Sequence, residues 1–167
     1  ACRGGKAGAC RAEDAMWLGG YQLSAEFKAH KGLHEEFGDA SPGVDVLADR
    51  VSSFIEGGTK IYLLAEGEKV GSAAGFAQIS FPPSIWSEGP IAMIDELYVR
   101  PDLRRLGLGQ ELMDSILALA RERGADGIEV VTGEDDLGAR ALYEKTGFRN
   151  EIEGESNSRS LFYEREL

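Results

Sequence analysis

Cysteine, proline and histidine are scarce in this sequence, and it lacks any long hydrophobic run. Both cysteines, Cys2 and Cys10, lie in the glycine-rich opening segment. Two thiols form neither a disulfide framework nor a metal quartet, so we expect free thiols in a reducing cytoplasm and no bound metal. No apolar run approaches the roughly 18–20 residues of a membrane span, so no membrane partner is expected. Because Ala1 rather than Met comes first, the natural start of the chain stays open.

The two histidines, His30 and His34, are four residues apart in "HKGLH". A zinc-protease helix carries a glutamate directly after its first histidine, and here that position holds Lys31. We therefore interpret both histidines as surface residues rather than metal ligands.

Positive charge is also in short supply. Lys and Arg number 18 against 29 Asp and Glu, which gives a formal net charge of −11. This charge repels nucleic acid and anionic lipid, so nucleic acid is not an expected partner. It favours a cationic substrate, although an acidic surface that only maintains solubility explains the excess equally well.

The patterns that are present predict one mixed α/β domain over 1–167. Periodic apolar residues predict helices before and after a break at 38–43, and alternating patterns then predict a hairpin around the turn "EGEK". Glycines mark the ends of three helices. The expected order is helix 12–30, helix 44–56, strand 59–67, strand 69–80, strand 91–99, helix 107–123, strand 127–133, helix 136–147 and two closing strands within 148–167.

The stretch "RRLGLGQELM" begins at Arg104 and places a glycine turn directly before a helix. Glycines let a backbone approach a ligand closely, and a helix start offers unpaired N–H groups and a positive dipole end. Together these features suit a pyrophosphate. A Walker loop needs Lys-Ser or Lys-Thr, which is absent here, and a dinucleotide fingerprint needs glycine where Leu112 stands.

"R-x-x-G-x-G" at Arg104, Gly107 and Gly109 resembles the coenzyme A pyrophosphate loop of the GNAT superfamily of N-acetyltransferases. The preceding "DELYVRPDLRR" and a later "A-x-x-x-Y-x-x-x-G-F", with Ala139 and Tyr143, stand in the family's order. The resemblance is closest over 91–149. It implies a single mixed, mostly antiparallel sheet flanked by helices, and acetyl-CoA as the acetyl donor.

The resemblance also implies a role for each matching residue. The strand at Leu97–Val99 would pair with the pantetheine arm, and an N–H near Leu97 would polarise the acetyl oxygen. Tyr143 would protonate the leaving thiolate. The full cofactor set implied is Leu97, Tyr98, Val99, Arg104, Arg105, Leu106, Gly107, Leu108, Gly109, Gln110, Asp136, Ala139 and Tyr143. Asp136 departs from the family because many members carry asparagine there.

Either Asp95 or Glu96 would accept the proton of the attacking amine. Adjacent residues on a strand point to opposite faces, so we expect only one of the two to face the substrate. A β-bulge changes which one, and the sequence does not show a bulge. We favour Glu96, and we interpret the other acid as solvated or salt-bridged.

The acids near the predicted site favour a cationic acceptor that is aminoglycoside-like or polyamine-like. The candidate substrate-binding acids are Asp95, Glu96, Asp135 and Glu164. A protein or peptide N-acetyltransferase is one alternative, although the proline-rich loop at 81–90 argues against an open peptide groove. A non-catalytic acyl-CoA sensor is another. Many relatives pair, so a homodimer stays open.

Overall fold

The computed structural model describes residues 8–9, 42–66 and 73–150. These ranges contain three helices and five strands, with a short 3-10 turn at Pro101–Leu103. In chain order the elements are β1 (Gly8–Ala9), α1 (Val44–Glu56), β2 (Ile61–Glu66), β3 (Ala73–Ser80), β4 (Ile91–Val99), α2 (Leu108–Glu122), β5 (Gly127–Val130) and α3 (Leu137–Lys145).

The strands form one sheet in the order β1-β2-β3-β4-β5. The first three pairings are antiparallel, and β4 pairs with β5 in parallel. This confirms the predicted mixed, mostly antiparallel sheet. In the opening segment the structure describes Gly8 and Ala9, which pair with Leu64 and Leu63.

Each face of the sheet carries its own apolar layer because strand side chains alternate. On one face, α1 packs its Leu47 and Val51 against a cluster of sheet residues. The sheet residues of that cluster are Tyr62, Leu64, Phe76 and Tyr98. Helix α2 contacts β2, β3 and β4 but adds nothing to this cluster, so it covers the opposite face. Its Leu112, Met113 and Ile116 are fully buried.

Glycines end the helices as the sequence predicts. After α2, Gly124 adopts φ +66°, a left-handed conformation that favours glycine. Its N–H donates to the Arg121 carbonyl at 3.0 Å, and the next N–H, from Ala125, donates to the Ala120 carbonyl at 3.0 Å. This pair of bonds is a Schellman motif, and it lets the chain turn directly into β5.

The chain divides into two compact units, Ala1–Val130 and Val131–Leu167. The first holds the sheet, α1 and α2, and the second holds α3. A single domain over 1–167 stays a prediction. The predicted first helix, residues 67–69 of the turn "EGEK" and residues 151–167 of the closing strands lie outside the described residues. No helix in the described ranges has the length and apolar character needed to cross a membrane.

Candidate active site

The pairing between β4 and β5 ends in the middle of β4. Their last pair is Ile94 with Val130, whereas β4 continues to Val99. In the described residues no strand takes the place of β5 along this second half of β4. Among the described residues, the backbone from Asp95 onward therefore has an open edge on that side.

A β-bulge lies at the same point. On β3, Gln78 pairs with Glu96 and Ile79 pairs with Ile94, so Asp95 is the extra residue on β4. A bulge bends its strand and re-aims the side chains beside it. The open edge of β4 thus begins at a local kink that carries both candidate acids.

The bulge removes the strict alternation that placed the two acids on opposite faces. Glu96 shares the face of its partner Gln78, whose side chain accepts a hydrogen bond from the Tyr62 hydroxyl. Asp95 reaches the same face, because its Oδ1 accepts a hydrogen bond from Ser80, two residues along β3 from Gln78. Both acids therefore lie on the face that packs against α1, because the bulge interrupts the alternation. Which of the two faces the substrate stays a prediction.

Asp95 is also ion-paired. Lys60, which directly precedes β2, places its Nζ 2.8 Å from Asp95 Oδ1, and Ser80 Oγ lies 3.1 Å from the same oxygen. The lysine and aspartate side chains are 24% and 20% exposed. The other oxygen, Oδ2, is buried and has no hydrogen-bond partner in the described part of the chain.

The open edge of β4 offers backbone groups at alternate residues. The Arg100 N–H donates to the Ala74 carbonyl on the β3 side at 2.9 Å. Because antiparallel residues direct their N–H and C=O groups alternately to the two sides, Leu97 and Val99 direct theirs to the open edge. Arg104 Nε already donates to the Val99 carbonyl at 2.9 Å, and its guanidinium lies 5.8 Å from the Tyr98 ring centroid.

The glycine turn after β4 delivers the chain to the start of α2. Arg105 and Gly107 both have positive φ, +64° and +96°. Gly107 is the N-cap and supplies no side-chain cap, so the first N–H groups of α2 are left for another acceptor. A Cβ at Gly107 would meet nothing within 4 Å, so the space in front of this turn is open. Arg105 and Leu106 are exposed beside it.

The first turn of α2 carries the remaining predicted cofactor residues of this unit, Leu108, Gly109 and Gln110. The Gln110 amide donates to Asp114 Oδ1 at 3.0 Å, one turn along the helix. Its Oε1 is buried and has no hydrogen-bond partner in the described residues.

In the second unit, Asp136 caps α3. Its Oδ1 accepts the N–H of Ala139 at 3.0 Å, so two predicted cofactor residues are joined in an N-cap. Arg140 donates to the Glu134 carbonyl at 2.8 Å, and Asp135 is exposed. The carboxylate of Asp136 therefore serves as the hydrogen-bond acceptor for the first turn of α3.

Tyr143 lies at the other end of α3 and is buried. The N–H of Gly147 donates to the Glu144 carbonyl at 3.1 Å, and that of Phe148 donates to the Tyr143 carbonyl at 3.0 Å. These are the bonds of a Schellman motif, and the Tyr143 and Phe148 rings pack 5.8 Å apart as its hydrophobic contact. The Schellman motif therefore accounts for the spacing between Tyr143 and "GF" without any role for the tyrosine hydroxyl.

Sequence reasoning missed the polar residues that surround the acids, which are Lys60, Tyr62, Gln78 and Ser80. A signal for two of them was present. In "FAQIS" the period of two places Gln78 and Ser80 on the same face as buried Phe76. Polar residues on a core-facing stripe indicate a polar site at the end of the strand.

Coenzyme A carries a pyrophosphate and a pantetheine arm with amide groups. The uncapped start of α2, with open space at Gly107, fits the first. The open edge of β4 at Leu97 and Val99 fits the second. Within the described ranges no group of His, Cys, Asp and Glu side chains is arranged to hold a metal ion. Glu164 lies outside the described residues.

Comparison with known proteins gives a consistent picture. A family model described as the acetyltransferase (GNAT) family matches residues 27–148. A candidate acetyltransferase from Arthrobacter sp. FB24, solved by crystallography, is 35% identical with a TM-score of 0.76, and the match covers 100% of this chain and 98% of that one.

Two other matches are limited, one in length and one in sequence identity. Mycothiol acetyltransferase of Beutenbergia cavernae is 40% identical over 68 residues, which cover 39% of this chain and only 23% of that protein. An aminoglycoside acetyltransferase from a soil metagenome, solved with sisomicin, is 18% identical with a TM-score of 0.67 over 96% of both chains. At that identity the likeness shows the fold alone. The extent of the family match and the Arthrobacter relative establish that this chain belongs to the GNAT family of acetyltransferases.

Proposed function

We propose that the chain transfers the acetyl group of acetyl-CoA to a primary amine, which attacks the thioester directly in a ternary complex. The observation that carries this proposal is the parting of β4 from β5 after Ile94, at a bulge that bears two acids. Family membership gives the reaction class. The open edge of β4 and the uncapped start of α2 support the assignment of the pantetheine arm to the first and of the pyrophosphate to the second.

The residues of the open edge and the glycine turn hold the donor in this account. Leu97 and Val99 offer backbone groups to the pantetheine amides, as an added strand does. The N–H groups at the start of α2 face the pyrophosphate, and Arg105 adds positive charge beside them. Acetyl-CoA supplies an activated thioester carbonyl.

Three groups of the chain then serve the transfer. Glu96 accepts the proton that the attacking ammonium must lose, directly or through a water. The Leu97 N–H stabilises the negative charge that grows on the carbonyl oxygen as the new C–N bond forms. Tyr143 donates its hydroxyl proton to the sulfur as the C–S bond breaks, and the second proton lost by the new amide nitrogen returns to the tyrosine through water, which yields the amide and a free thiol.

The acceptor in this proposal is a cationic small molecule. The net charge of −11 supports it, and one solved protein of this fold holds the aminoglycoside sisomicin. Two of the acids offer less support for a multiply charged acceptor, because Asp95 is paired with Lys60 and Asp136 caps α3. Singly charged amines therefore belong in the test beside aminoglycosides and polyamines.

The experiment is thiol release from acetyl-CoA against a panel of amines. The panel holds aminoglycosides, spermidine, lysine-type metabolites and short peptides. Turnover with a cationic small molecule supports the proposal, and turnover with peptides alone replaces it with protein acetylation. Silence across the panel, with acetyl-CoA still raising the melting temperature, contradicts it and favours a sensor.

Glu96→Gln tests the assigned base. General-base catalysis typically contributes about 100-fold or more, so we expect kcat to fall by at least about 100-fold with acetyl-CoA affinity retained. Glu129→Gln is the matched control, because Glu129 is an exposed glutamate on β5 of the same sheet. Equal activity of both variants would remove Glu96 from the mechanism.

A further inference from the structure

One of the two acids at the bulge, Asp95, is held in place by two side chains from neighbouring parts of the sheet. Lys60 stands directly before β2, Ser80 ends β3, and Asp95 is the unpaired residue of β4. The lysine and the serine both donate to the same carboxylate oxygen, at 2.8 and 3.1 Å. An extra residue in a strand lacks ladder pairing, so these side-chain bonds replace the missing constraint.

The ion pair also sets the charge next to Glu96. Consecutive Cα atoms are about 3.8 Å apart, and both acids lie on one face, so two ionised carboxylates here would repel each other. Lys60 supplies the compensating charge to Asp95. Since both partners are only about a quarter exposed or less, their attraction is screened less than that of a surface pair.

We propose that Lys60 and Asp95 form a positioning pair that fixes the bulge and keeps Glu96 ionised as the base, so that Asp95 is not itself the proton acceptor. This inference rests on the proposed function, because it assigns roles within the same site. It makes Lys60, about 35 residues upstream of the acids, a determinant of the pH at which the enzyme works.

Other charged and titratable groups lie on the described elements around this pair. On the same face, β2 contributes Tyr62 and β4 contributes Tyr98, whereas Gln78 and Ser80 of β3 are uncharged. On β5, Glu129 pairs with Met93 and is exposed. The charged residues of α1 are exposed, namely Asp45, Asp49, Arg50 and Glu56. Among the described residues, Lys60 is the cation that contacts Asp95 directly, so it is the first charge to remove.

The pH dependence of kcat/KM tests the pair. In Lys60→Met, Asp95 is left without its cation, and its negative charge raises the pKa of Glu96. Because the base acts only when deprotonated, the acid limb should move to higher pH by about one unit. Below the limb this lowers the rate about tenfold. Lys60→Arg keeps the charge and should keep the wild-type limb.

Asp95→Asn should shift the acid limb of kcat/KM in the opposite direction. It removes the negative charge and leaves Lys60 beside Glu96, so the pKa of Glu96 falls and the limb moves to lower pH. The double variant Lys60→Met with Asp95→Asn removes both charges and should return the limb close to wild type. If Lys60→Met does not fold, the Lys60→Arg and Asp95→Asn profiles still carry the test.

Carbon-13 titration of the Glu96 carboxyl in the same variants gives a readout that needs no turnover. The inference predicts the same shifts in the NMR titration as in the pH–rate profile. If no amine of the panel is acetylated, the proposed function is contradicted. The titration still shows whether Lys60 and Asp95 affect the Glu96 carboxyl. Unchanged titration in both Lys60→Met and Asp95→Asn would overturn the inference. Loss of turnover at every pH in folded Asp95→Asn, with Glu96→Gln active, would also overturn it.

Discussion

The helices α2 and α3 begin in opposite ways. Helix α2 starts at Gly107, which has no side chain to offer its first N–H groups. Helix α3 starts at Asp136, whose carboxylate accepts the Ala139 N–H at 3.0 Å. One helix start is open to an external anion and the other is closed by the chain itself. Two helix starts that both follow a strand and a loop therefore have different uses.

Helix α3 is closed at its far end as well, by the Schellman motif of Gly147 and Phe148. The contribution that remains for this helix is side-chain chemistry, and Tyr143 is the residue assigned to it. Tyr143→Phe keeps the ring contact with Phe148 and removes only the hydroxyl. We expect kcat to fall about 100-fold with acetyl-CoA affinity retained.

Tyr143→Leu is the companion variant. It removes the hydroxyl and the ring contact, so it should lose stability as well as turnover. Thermal unfolding and steady-state kinetics separate the two effects. Full turnover in Tyr143→Phe, under conditions where chemistry limits the rate, would show that the tyrosine serves the helix C-terminus alone.

The open end of α2 predicts a loss of binding when its turn is altered. Gly107→Ala places a Cβ in the space in front of the turn and strains a backbone at φ +96°. We expect acetyl-CoA affinity to fall about tenfold or more, and stability to fall by about 1 kcal/mol. Calorimetric titration and thermal unfolding measure the two.

Gly124→Ala is the matched control for this variant. Gly124 also has positive φ, +66°, and a Cβ there also meets nothing within 4 Å, but it lies at the other end of the same helix. It should lose similar stability and keep its affinity. Equal affinities in the two variants would mean that the turn at Gly107 contacts no ligand.

The N-terminal cap of α3 predicts the smallest effect on ligand binding. Asp136→Ala removes the N-cap and should cost about 1 kcal/mol in unfolding free energy, with acetyl-CoA affinity nearly unchanged. Asp136→Asn keeps a capping oxygen and should restore most of the stability. Denaturant unfolding gives the first quantity and calorimetry the second. A large loss of acetyl-CoA affinity in Asp136→Asn would show that Asp136 takes part in cofactor binding.

The elements that depend on local patterns were predictable from the sequence. The strand Ile91–Val99 and the helix Val44–Glu56 have the bounds that their patterns predict, and Gly124 and Gly147 end their helices as expected. In these cases neighbouring residues decide the structure. Tyr143 illustrates the limit, because its spacing from "GF" satisfies a family motif and a helix C-cap at once.

The bulge and the lysine were not predictable. Whether Asp95 is an extra residue depends on the register of β4 against β3, which is set by residues far along the chain. The pairing of Lys60 with Asp95 depends in turn on that bulge. Our expectation for the two acids rested on an alternation that a single extra residue interrupts.

The most direct test of the account compares acetyl-CoA with S-acetylpantetheine by calorimetric titration of the wild-type protein. The two compounds share the thioester and the pantetheine arm, and acetyl-CoA adds 3′-phosphoadenosine and the pyrophosphate that the open end of α2 is assigned to bind. The account predicts that acetyl-CoA binds at least about tenfold more tightly, in keeping with charge-assisted bonds to a helix start. Equal affinities for the two compounds, or no binding of acetyl-CoA, would contradict it.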